Sequence, residues 1–345
     1  MKIATLYHAS TGLAMGGIPT YLNTIQEHGK LFNFQIDNFG FYKYAKDGAL
    51  GNKRHLIKPI EIYNDKTKLL DKLNEYDIVI MYFPPTKLNT TEQEISTREF
   101  VFDIWKNIKA VKVVQMHLAM YGQKLKPHPF IHEVIEYCDV TMSRSKRNPV
   151  TELGNALGKP WVQLKLFYDF DQFESKEKKN QICSFGRPVG CKKLKPLEKA
   201  KTMLENYMTV IPADGVMKHK EGLEMFAESK ILFCPTLAKA GHEYANQLEY
   251  VQMEGLANDC ILVLNKHQGE HCYHEGVRWI DIPNFALWFD EKDLEGTWNK
   301  IIEVMQDPEA TKKFSLAKNK FREELKIENF ERQMNYIKNI KQFAK

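Results

Sequence analysis

The sequence lacks the two hydrophobic patterns that direct a chain to or through a membrane. Its 345 residues include no stretch of about 18 apolar residues, the length that a transmembrane helix needs. At the N-terminus a single lysine precedes only a short apolar run, and Ser and Thr follow soon after, which favours a first β-strand over a signal peptide. We therefore expect a cytoplasmic protein that does not associate with a membrane.

Cysteine is sparse and scattered, and no two cysteines form a CxxC pair. In a chain of this length, this pattern indicates reduced, mostly buried thiols in a cytoplasmic protein. The GxGxxG fingerprint of nicotinamide-dinucleotide proteins is also absent, as are internal repeats and low-complexity tracts. The cysteines are Cys138, Cys183, Cys191, Cys234, Cys260 and Cys272.

The composition that remains is that of an ordinary globular protein, with 43% hydrophobic and 27% charged residues. At about 100–200 residues per domain, the length predicts two domains. The formal net charge of +5 is mild and by itself indicates no nucleic-acid partner. Residues 106–165, however, hold ten basic and four acidic residues, which fits either a solvated face or a binding surface.

Strand and helix patterns alternate along both halves of the chain. The runs at 77–83 and 111–116 are nearly all apolar, as parallel strands buried on both faces are. The pattern stops at a charged stretch, 174–180, and then restarts, with a helix expected at 245–256. We predict an α/β protein of two Rossmann-like, doubly wound domains facing a central cleft, residues 1–168 and 169–326.

Two glycine-containing turns are candidates for phosphate binding. Gly16 and Gly17 precede the first predicted helix, whose dipole favours an anion there, although a Gly-Gly turn alone is weak evidence and a purely structural turn explains it. Gly186 and Arg187 follow a predicted strand, and Lys192 comes shortly after them. Such cations stabilise the charge on a departing nucleoside diphosphate, and the alternative is a basic surface loop.

Three further side chains could contact a ligand. Glu254 lies near the apolar face of the predicted helix 245–256, where a carboxylate can accept hydrogen bonds from both ribose hydroxyls of a nucleotide. Glu249 lies five residues earlier, and both could instead be solvated helix residues. His117 directly follows the apolar strand 111–116 and could position a sugar or an acceptor, or be a core histidine.

The segment HQGEHCYH superficially resembles a metal site through His267, His271, Cys272 and His274. No matching Cys or His pair occurs elsewhere at zinc-finger spacing. We therefore predict a polar loop here and no metal site.

In order along the chain, these segments resemble the DNA α-glucosyltransferase family of T-even bacteriophages, within the retaining GT-B glycosyltransferases. The resemblance covers most of the chain in short pieces and is weakest between Lys193 and His242. The matching pieces are Gly16-Gly17-Ile18, Asp77–Ile80 followed by Phe83-Pro84-Pro85, Val114–His117, Asp139-Val140 with Ser143-Arg144-Ser145, Gly186-Arg187 with Lys192, Leu248-Glu249-Tyr250 with Glu254, and Trp288-Phe289-Asp290.

The resemblance implies a role for each candidate. Arg187 and Lys192 would hold the diphosphate of a UDP-sugar next to Gly186, and Glu254 would bind the ribose. Glu249 would contact the sugar or the nearby phosphate. On the other domain, Gly16 and Gly17 would approach the donor, and His117 would contact the sugar or the incoming hydroxyl. Such retaining transfers often use no protein nucleophile, because the leaving phosphate can itself take the acceptor's proton.

The acceptor that the resemblance implies is a hydroxymethylated pyrimidine in duplex DNA, flipped out of the stack. The transferred sugar would be glucose or another, such as arabinose, and the product would protect phage DNA from host nucleases in the host cytoplasm. A helix at 327–345 would pack back on the first domain. We expect a monomer with no tightly bound cofactor, and the sequence requires no metal, although a divalent ion is compatible with it. Loop residues that could neutralise DNA phosphates are Lys124, Lys126, Arg144, Lys146 and Arg147.

Two other functions are compatible with the same fold. One is a bacterial glycosyltransferase for surface glycans or lipid-linked sugars, although no long basic amphipathic helix for membrane docking is evident. The other is a non-catalytic protein that binds DNA or a nucleotide sugar, since a fold does not determine function. The joint presence of Arg187, Lys192, Glu249 and Glu254 favours the enzyme.

Overall fold

A computed structural model shows two compact units. Unit 1 comprises Met1–Phe167 and Ile327–Lys345, and unit 2 comprises Tyr168–Lys326. The residues that the structure describes are 1–8, 17–41, 48–50, 58, 60–82, 92–116, 129–143, 149–170, 176–184, 199–200, 202–210, 219–234, 248–274 and 276–343.

The described strands of unit 1 form a mixed sheet in the order β3-β4-β2-β1-β5-β6-β7-β8. Only β3 runs antiparallel to its neighbour, and the other pairs are parallel. All five residues of β5 are buried, as its apolar sequence predicts. The strands are β1 Lys2–His8, β2 Gln35–Phe41, β3 Gly48–Leu50, β4 Ile60–Tyr63, β5 Ile78–Tyr82, β6 Val111–Met116, β7 Val140–Ser143 and β8 Trp161–Gln163.

Helices connect these strands, as parallel pairing requires. Asp65 caps one of them, because its carboxylate accepts hydrogen bonds from the backbone N–H groups of Thr67 (2.9 Å) and Lys68 (3.1 Å). The buried Trp105 ties two helices together by donating from Nε1 to the carbonyl oxygen of Val134 at 2.9 Å. The helices are α1 Gly17–Gly29, α2 Lys66–Leu73, α3 Glu92–Asn107, α4 Pro129–Glu136 and α5 Pro149–Ala156, with a short 3₁₀ helix at Lys30–Phe32.

Unit 2 contains a second sheet, all parallel, in the order β10-β9-β11-β12-β15, and a small hairpin of β13 and β14. Its core includes the rings of Phe233, Phe289 and Trp298, whose centroids lie 5.5–5.8 Å apart. The strands are β9 Lys179–Ser184, β10 Met208–Val210, β11 Ser229–Cys234, β12 Ile261–Asn265, β13 Tyr273–His274, β14 Val277–Arg278 and β15 Leu287–Phe289. The helices are α6 His219–Glu228, α7 Tyr250–Ala257, α8 Lys266–His271, α9 Leu294–Gln306 and α10 Ala310–Leu325, with a 3₁₀ turn at Trp279–Asp281.

Each sheet has a point at which the strand order reverses. In unit 1, β1 pairs with β2 on one side and with β5 on the other. In unit 2, β9 pairs with β10 on one side and with β11 on the other. Ligands of open α/β sheets bind outside the carboxyl ends of the strands at such switch points. β1 and β9 are therefore the strands next to the switch points of the two sheets.

The last helix, α11 Glu328–Phe343, belongs to unit 1. Its Phe330 is fully buried against the rings of Phe34 (6.1 Å) and Phe167 (5.7 Å). Gln333 donates to the carbonyl oxygen of Gln163 at 2.7 Å, and Lys338 forms an ion pair with Asp77 at 3.0 Å. The chain therefore leaves unit 1 after Phe167 and returns to it at Ile327.

The fold class agrees with the sequence prediction, while two elements differ from it. The helix expected at 245–256 begins only at Tyr250 in the described residues, because Leu248 and Glu249 are not helical. The polar loop expected around His267 is wrong, since Lys266–His271 is the helix α8. The five cysteines within the described ranges are buried, and none of them is in a disulfide. None of the described helices combines the length and apolar character that a membrane-spanning segment needs.

Candidate functional site

Most of the predicted site residues lie outside the residues that the structure describes. Their positions in the chain can still be related to the described strands. Gly186 comes two residues after the end of β9 in the sequence, and His117 and Arg144 directly follow the last residues of β6 and β7. The site residues outside the described ranges are Gly16, His117, Lys124, Lys126, Arg144, Lys146, Arg147, Gly186, Arg187 and Lys192. Gly17 is described only as the first residue of α1.

The two predicted glutamates occupy different environments on α7. Glu249 is the N-cap residue in extended backbone conformation, and its N–H donates to Gln252 Oε1 at 2.9 Å. Glu254 lies inside the helix and is only 4% exposed. A carboxylate is rarely buried to this degree unless polar groups surround it. Of the two residues, Glu254 is therefore the one whose position needs a functional or structural reason.

Close packing and a capped end fix the position of α7. A Cβ added at Gly255 would overlap Leu232 Cδ2 on β11 and lie 3.3 Å from Leu262 Cδ2 on β12. The helix ends in a Schellman motif: Cys260 N donates to Gly255 O at 2.8 Å, and Asp259 N donates to Leu256 O at 3.0 Å. Asp259 takes the left-handed conformation that this motif requires, with φ 57°. These contacts also fix the backbone position of Glu254, the residue before Gly255, relative to the sheet.

Two lysines stabilise the same helix end. Lys178 Nζ donates to the carbonyl oxygens of Phe226 (3.0 Å), Ala227 (2.9 Å) and Asn258, at the ends of α6 and α7. Lys318 Nζ forms an ion pair with Asp259 at 2.7 Å. Positive charge at helix C-termini is favourable because the carbonyl groups there carry partial negative charge. Burial lowers the pKa of Lys178 below its usual value.

A tyrosine that the sequence analysis did not select lies near Glu254. Tyr168 is 5% exposed, and its ring centroid is 6.3 Å from that of Tyr250. Burial, and then the negative charge of Glu254, raise the pKa of Tyr168 well above its usual range. Its hydroxyl is therefore protonated at neutral pH. No local motif marks Tyr168, because its proximity to Glu254 arises only from the tertiary fold.

In the structure, the side chains of the histidine-rich segment lie in different environments. His267 and His271 lie on α8 with ring centroids 3.9 Å apart and the ring planes tilted by 32°, and Glu270 lies beside them. Burial and the neighbouring His271 lower the pKa of His267. The other two residues are elsewhere: Cys272 is fully buried, and His274 stacks on Phe321 at 4.5 Å. Of the four residues selected from the sequence, the structure brings only His267 and His271 together. Glu270, which lies beside them, was not selected.

The whole chain is similar to solved structures of phage T4 alpha-glucosyltransferase. The complex with UDP and a 13-mer DNA containing an HMU base has a TM-score of 0.75 and 16% identity, covering 98% of this chain and 99% of that chain. The complex with UDP-glucose and DNA containing an abasic site has a TM-score of 0.72, 17% identity and the same coverage. TarM gives 0.65 and 10% identity, with 98% of each chain covered. The chain has the GT-B fold.

This GT-B assignment rests on structure alone. No protein-family model and no curated protein matches the chain. The similarity nevertheless runs through both units, since it leaves only 2% of the chain uncovered. It extends at lower similarity to OtsA, with a TM-score of 0.55 and 9% identity. Helix α7 therefore belongs to the second unit of a GT-B chain.

Proposed function

We propose that this protein transfers a sugar from a UDP-sugar to a hydroxymethylated pyrimidine base in duplex DNA. The observation that carries the proposal is the full-length similarity to an alpha-glucosyltransferase solved with UDP and HMU-containing DNA. That similarity, with a TM-score of 0.75, is greater than the 0.65 for TarM, a variant of which has been solved in complex with alpha-GlcNAc-glycerol and UDP. The DNA acceptor is therefore preferred over a surface glycan.

In the proposed reaction, unit 2 holds the donor and unit 1 presents the acceptor. Glu254 accepts hydrogen bonds from the ribose hydroxyls, and Arg187 and Lys192 neutralise the diphosphate beside Gly186. Glu249 contributes through its position at the start of α7, next to the sugar or the phosphates. Gly16 and Gly17 approach the donor from unit 1, and His117 contacts the sugar or the incoming hydroxyl.

The chemistry is a substitution at the anomeric carbon. The hydroxymethyl oxygen of the base forms the new bond to this carbon, and the bond to the β-phosphate oxygen of UDP breaks. The hydroxyl attacks from the same face that the phosphate leaves and passes its proton to that phosphate, so that no protein nucleophile is needed and the anomeric configuration is retained. Positive charge from Arg187 and Lys192 stabilises the diphosphate as it leaves.

The direct test is transfer to a defined duplex. The protein is incubated with UDP-glucose and DNA that contains hydroxymethyluracil or hydroxymethylcytosine, and the nucleosides are analysed by mass spectrometry. We expect a hydroxymethylpyrimidine nucleoside that carries one added sugar, and no product from the unmodified duplex. Other UDP-sugars in the same assay identify the sugar. Transfer only to a glycan or lipid acceptor would establish the surface-glycan function instead, and no transfer from any nucleotide sugar would indicate a binding protein.

The variant Glu254→Gln tests the donor site. It keeps the shape of the side chain but removes its charge, and a hydrogen bond to a charged group contributes about 1.5–3 kcal/mol. We expect kcat/KM to fall at least about tenfold while the thermal unfolding temperature changes little. The matched control is Glu224→Gln, because Glu224 is exposed on α6 in the same unit. Equal activity of the two variants would exclude Glu254 from the donor site.

Charge reversal at Arg144, Lys146 and Arg147 tests the DNA surface. If these residues contact phosphates, binding to duplex DNA weakens, and the slope of log K against log salt falls by about 0.9 for each lost contact. Fluorescence anisotropy over a salt series measures both quantities.

The control for this experiment carries the same change of charge at three exposed lysines of unit 2. These are Lys176, Lys300 and Lys312. We expect its salt slope to stay close to that of the unchanged protein. Identical binding of both triple variants would show that the protein's overall charge, and no surface of unit 1, determines DNA affinity.

A further inference from the structure

Helix α8 presents three side chains with the chemistry of metal ligands on one face. His267, Glu270 and His271 are spaced at i, i+3 and i+4, which places them on adjacent turns of the same side. The structure confirms this arrangement: one ligand atom of each residue lies within 4.8 Å of the other two. Two imidazoles and a carboxylate therefore converge on one small volume.

The spacing suits a single ion. Nitrogen and carboxylate ligands lie about 2.0–2.2 Å from zinc, so two ligands in tetrahedral coordination are about 3.4 Å apart. Small rotations of the side chains reduce a separation of 4.8 Å to this value. Such rotations are available, because His271 is exposed and His267 and Glu270 are half-buried.

A hydrogen bond already orients one of the two imidazoles. The Nδ1 atom of His271 lies 2.9 Å from the carbonyl oxygen of His267. A carbonyl oxygen can only accept, so Nδ1 carries the proton and the lone pair is on Nε2. Histidines that bind metals usually donate their second ring nitrogen to a carbonyl or a carboxylate in this way, which fixes both tautomer and ring orientation.

The helix that carries the ligands is held firmly in place. Asn265 Oδ1 accepts from His267 N at 2.9 Å, and Lys266 forms an ion pair with Asp290 at 2.8 Å. On the opposite side Gly269 lies flat against Trp288, where an added Cβ would come within 2.5 Å of ring atom Cζ3. Ligands on a fixed element lose less freedom when they bind an ion.

We propose that His267, Glu270 and His271 bind one divalent transition-metal ion, with zinc as the best match. Two imidazoles favour zinc, nickel, cobalt or copper, whereas magnesium and calcium prefer oxygen ligands alone. Three protein ligands leave a fourth position for water or another group. Since β12 ends at Asn265, the site lies at the carboxyl edge of the unit 2 sheet. The proposal is independent of the proposed glycosyltransferase function.

The test uses full-length protein without a histidine tag, titrated with Co²⁺ and followed by visible absorption. We expect one equivalent of Co²⁺ to bind, Zn²⁺ to displace it, and Mg²⁺ to leave it in place. His267→Ala and His271→Ala should each weaken Co²⁺ binding at least about tenfold, and Glu270→Gln should weaken it less. His271 is exposed, so His271→Ala is expected to fold normally, which circular dichroism checks.

The matched control is His132→Ala, which removes an exposed histidine from α4 in unit 1. It should bind Co²⁺ as the unchanged protein does. The proposal is overturned if His267→Ala and His271→Ala bind with unchanged affinity, or if Mg²⁺ displaces the Co²⁺. A thiolate-to-cobalt charge-transfer band would also contradict it, because the ion would then be bound by a cysteine.

Discussion

At the scale of single residues, Asp37 on β2 is a carboxylate that three side chains hold by hydrogen bonds. It accepts from Gln35 Nε2 (2.6 Å), Lys58 Nζ (2.8 Å) and the Tyr76 hydroxyl (2.9 Å). Burial acts to raise the pKa of Asp37, but these hydrogen bonds outweigh it and the pKa lies below its usual value. The stability that Asp37 contributes is therefore complete above the unfolded-state pKa of about 3.9 and is lost as the pH falls through the folded pKa.

The variant Asp37→Asn should lower the free energy of unfolding at pH 7 by about 2 kcal/mol, because three donors lose a charged acceptor. It should also flatten the fall in stability on acidification, since the group that titrates has been removed. Urea unfolding at several pH values between about 3 and 7 measures both effects. The control is Asp71→Asn, an exposed residue on α2. The same pH profile for both variants would contradict the role given to Asp37.

The residue scale also shows what a sequence can and cannot indicate about the site. The burial of Glu254 was foreseeable, because apolar residues precede and follow it, and a helix that is apolar on most sides is buried. The proximity of Tyr168 was not, because Tyr168 and Glu254 are far apart in the chain and no local pattern links them. Glu270 was not predicted, because a metal-site pattern defined by His and Cys residues alone contains no carboxylate ligand.

At the scale of elements, the close contact of α7 with β11 and β12 decides where Glu254 lies. In an exposed helix, replacing glycine with alanine stabilises by about 1 kcal/mol. At Gly255 the added methyl group would instead overlap Leu232. We expect Gly255→Ala to destabilise the protein by about 1–3 kcal/mol and to weaken UDP binding, because α7 must move away from the sheet.

Thermal unfolding and calorimetric titration with UDP check this prediction. The control is Val251→Ala, which trims a half-buried residue of the same helix without adding an atom. A Gly255→Ala variant that is more stable than the unchanged protein would mean that α7 does not pack this closely.

Element length explains which parts of the fold the sequence predicted. The apolar runs of β5 and β6 are long enough to stand out as buried parallel strands. The strands β3, β8 and β15 have three residues each, too few to show a period of two. Helix α8 has six residues and contains a glycine that favours a loop by propensity. Packing of that glycine against Trp288 overrides the propensity, and this contact is visible only in three dimensions.

At the scale of the whole molecule, α11 completes unit 1 from the far end of the chain. Replacing the fully buried Phe330 with alanine should cost about 3–5 kcal/mol. Because Phe330 packs on Phe34 and Phe167, we expect the substitution to destabilise unit 1. Hydrogen–deuterium exchange measured by mass spectrometry should show faster exchange in unit 1 peptides and little change in those of unit 2. Asn335→Ala, at an exposed position of α11, is the control, and equal acceleration in both units would contradict the assignment of α11.

The return of the chain to unit 1 has a consequence for synthesis. A ribosome releases the N-terminal part first, and domains generally fold as they emerge. Unit 2 is one continuous segment, Tyr168–Lys326, so all of its residues are available before α11 has been made. Unit 1 begins first but reaches its full set of contacts only afterwards, when Phe330 can cover Phe34 and Phe167. During translation, the nascent first unit therefore exposes an apolar surface for as long as the second unit takes to be synthesised.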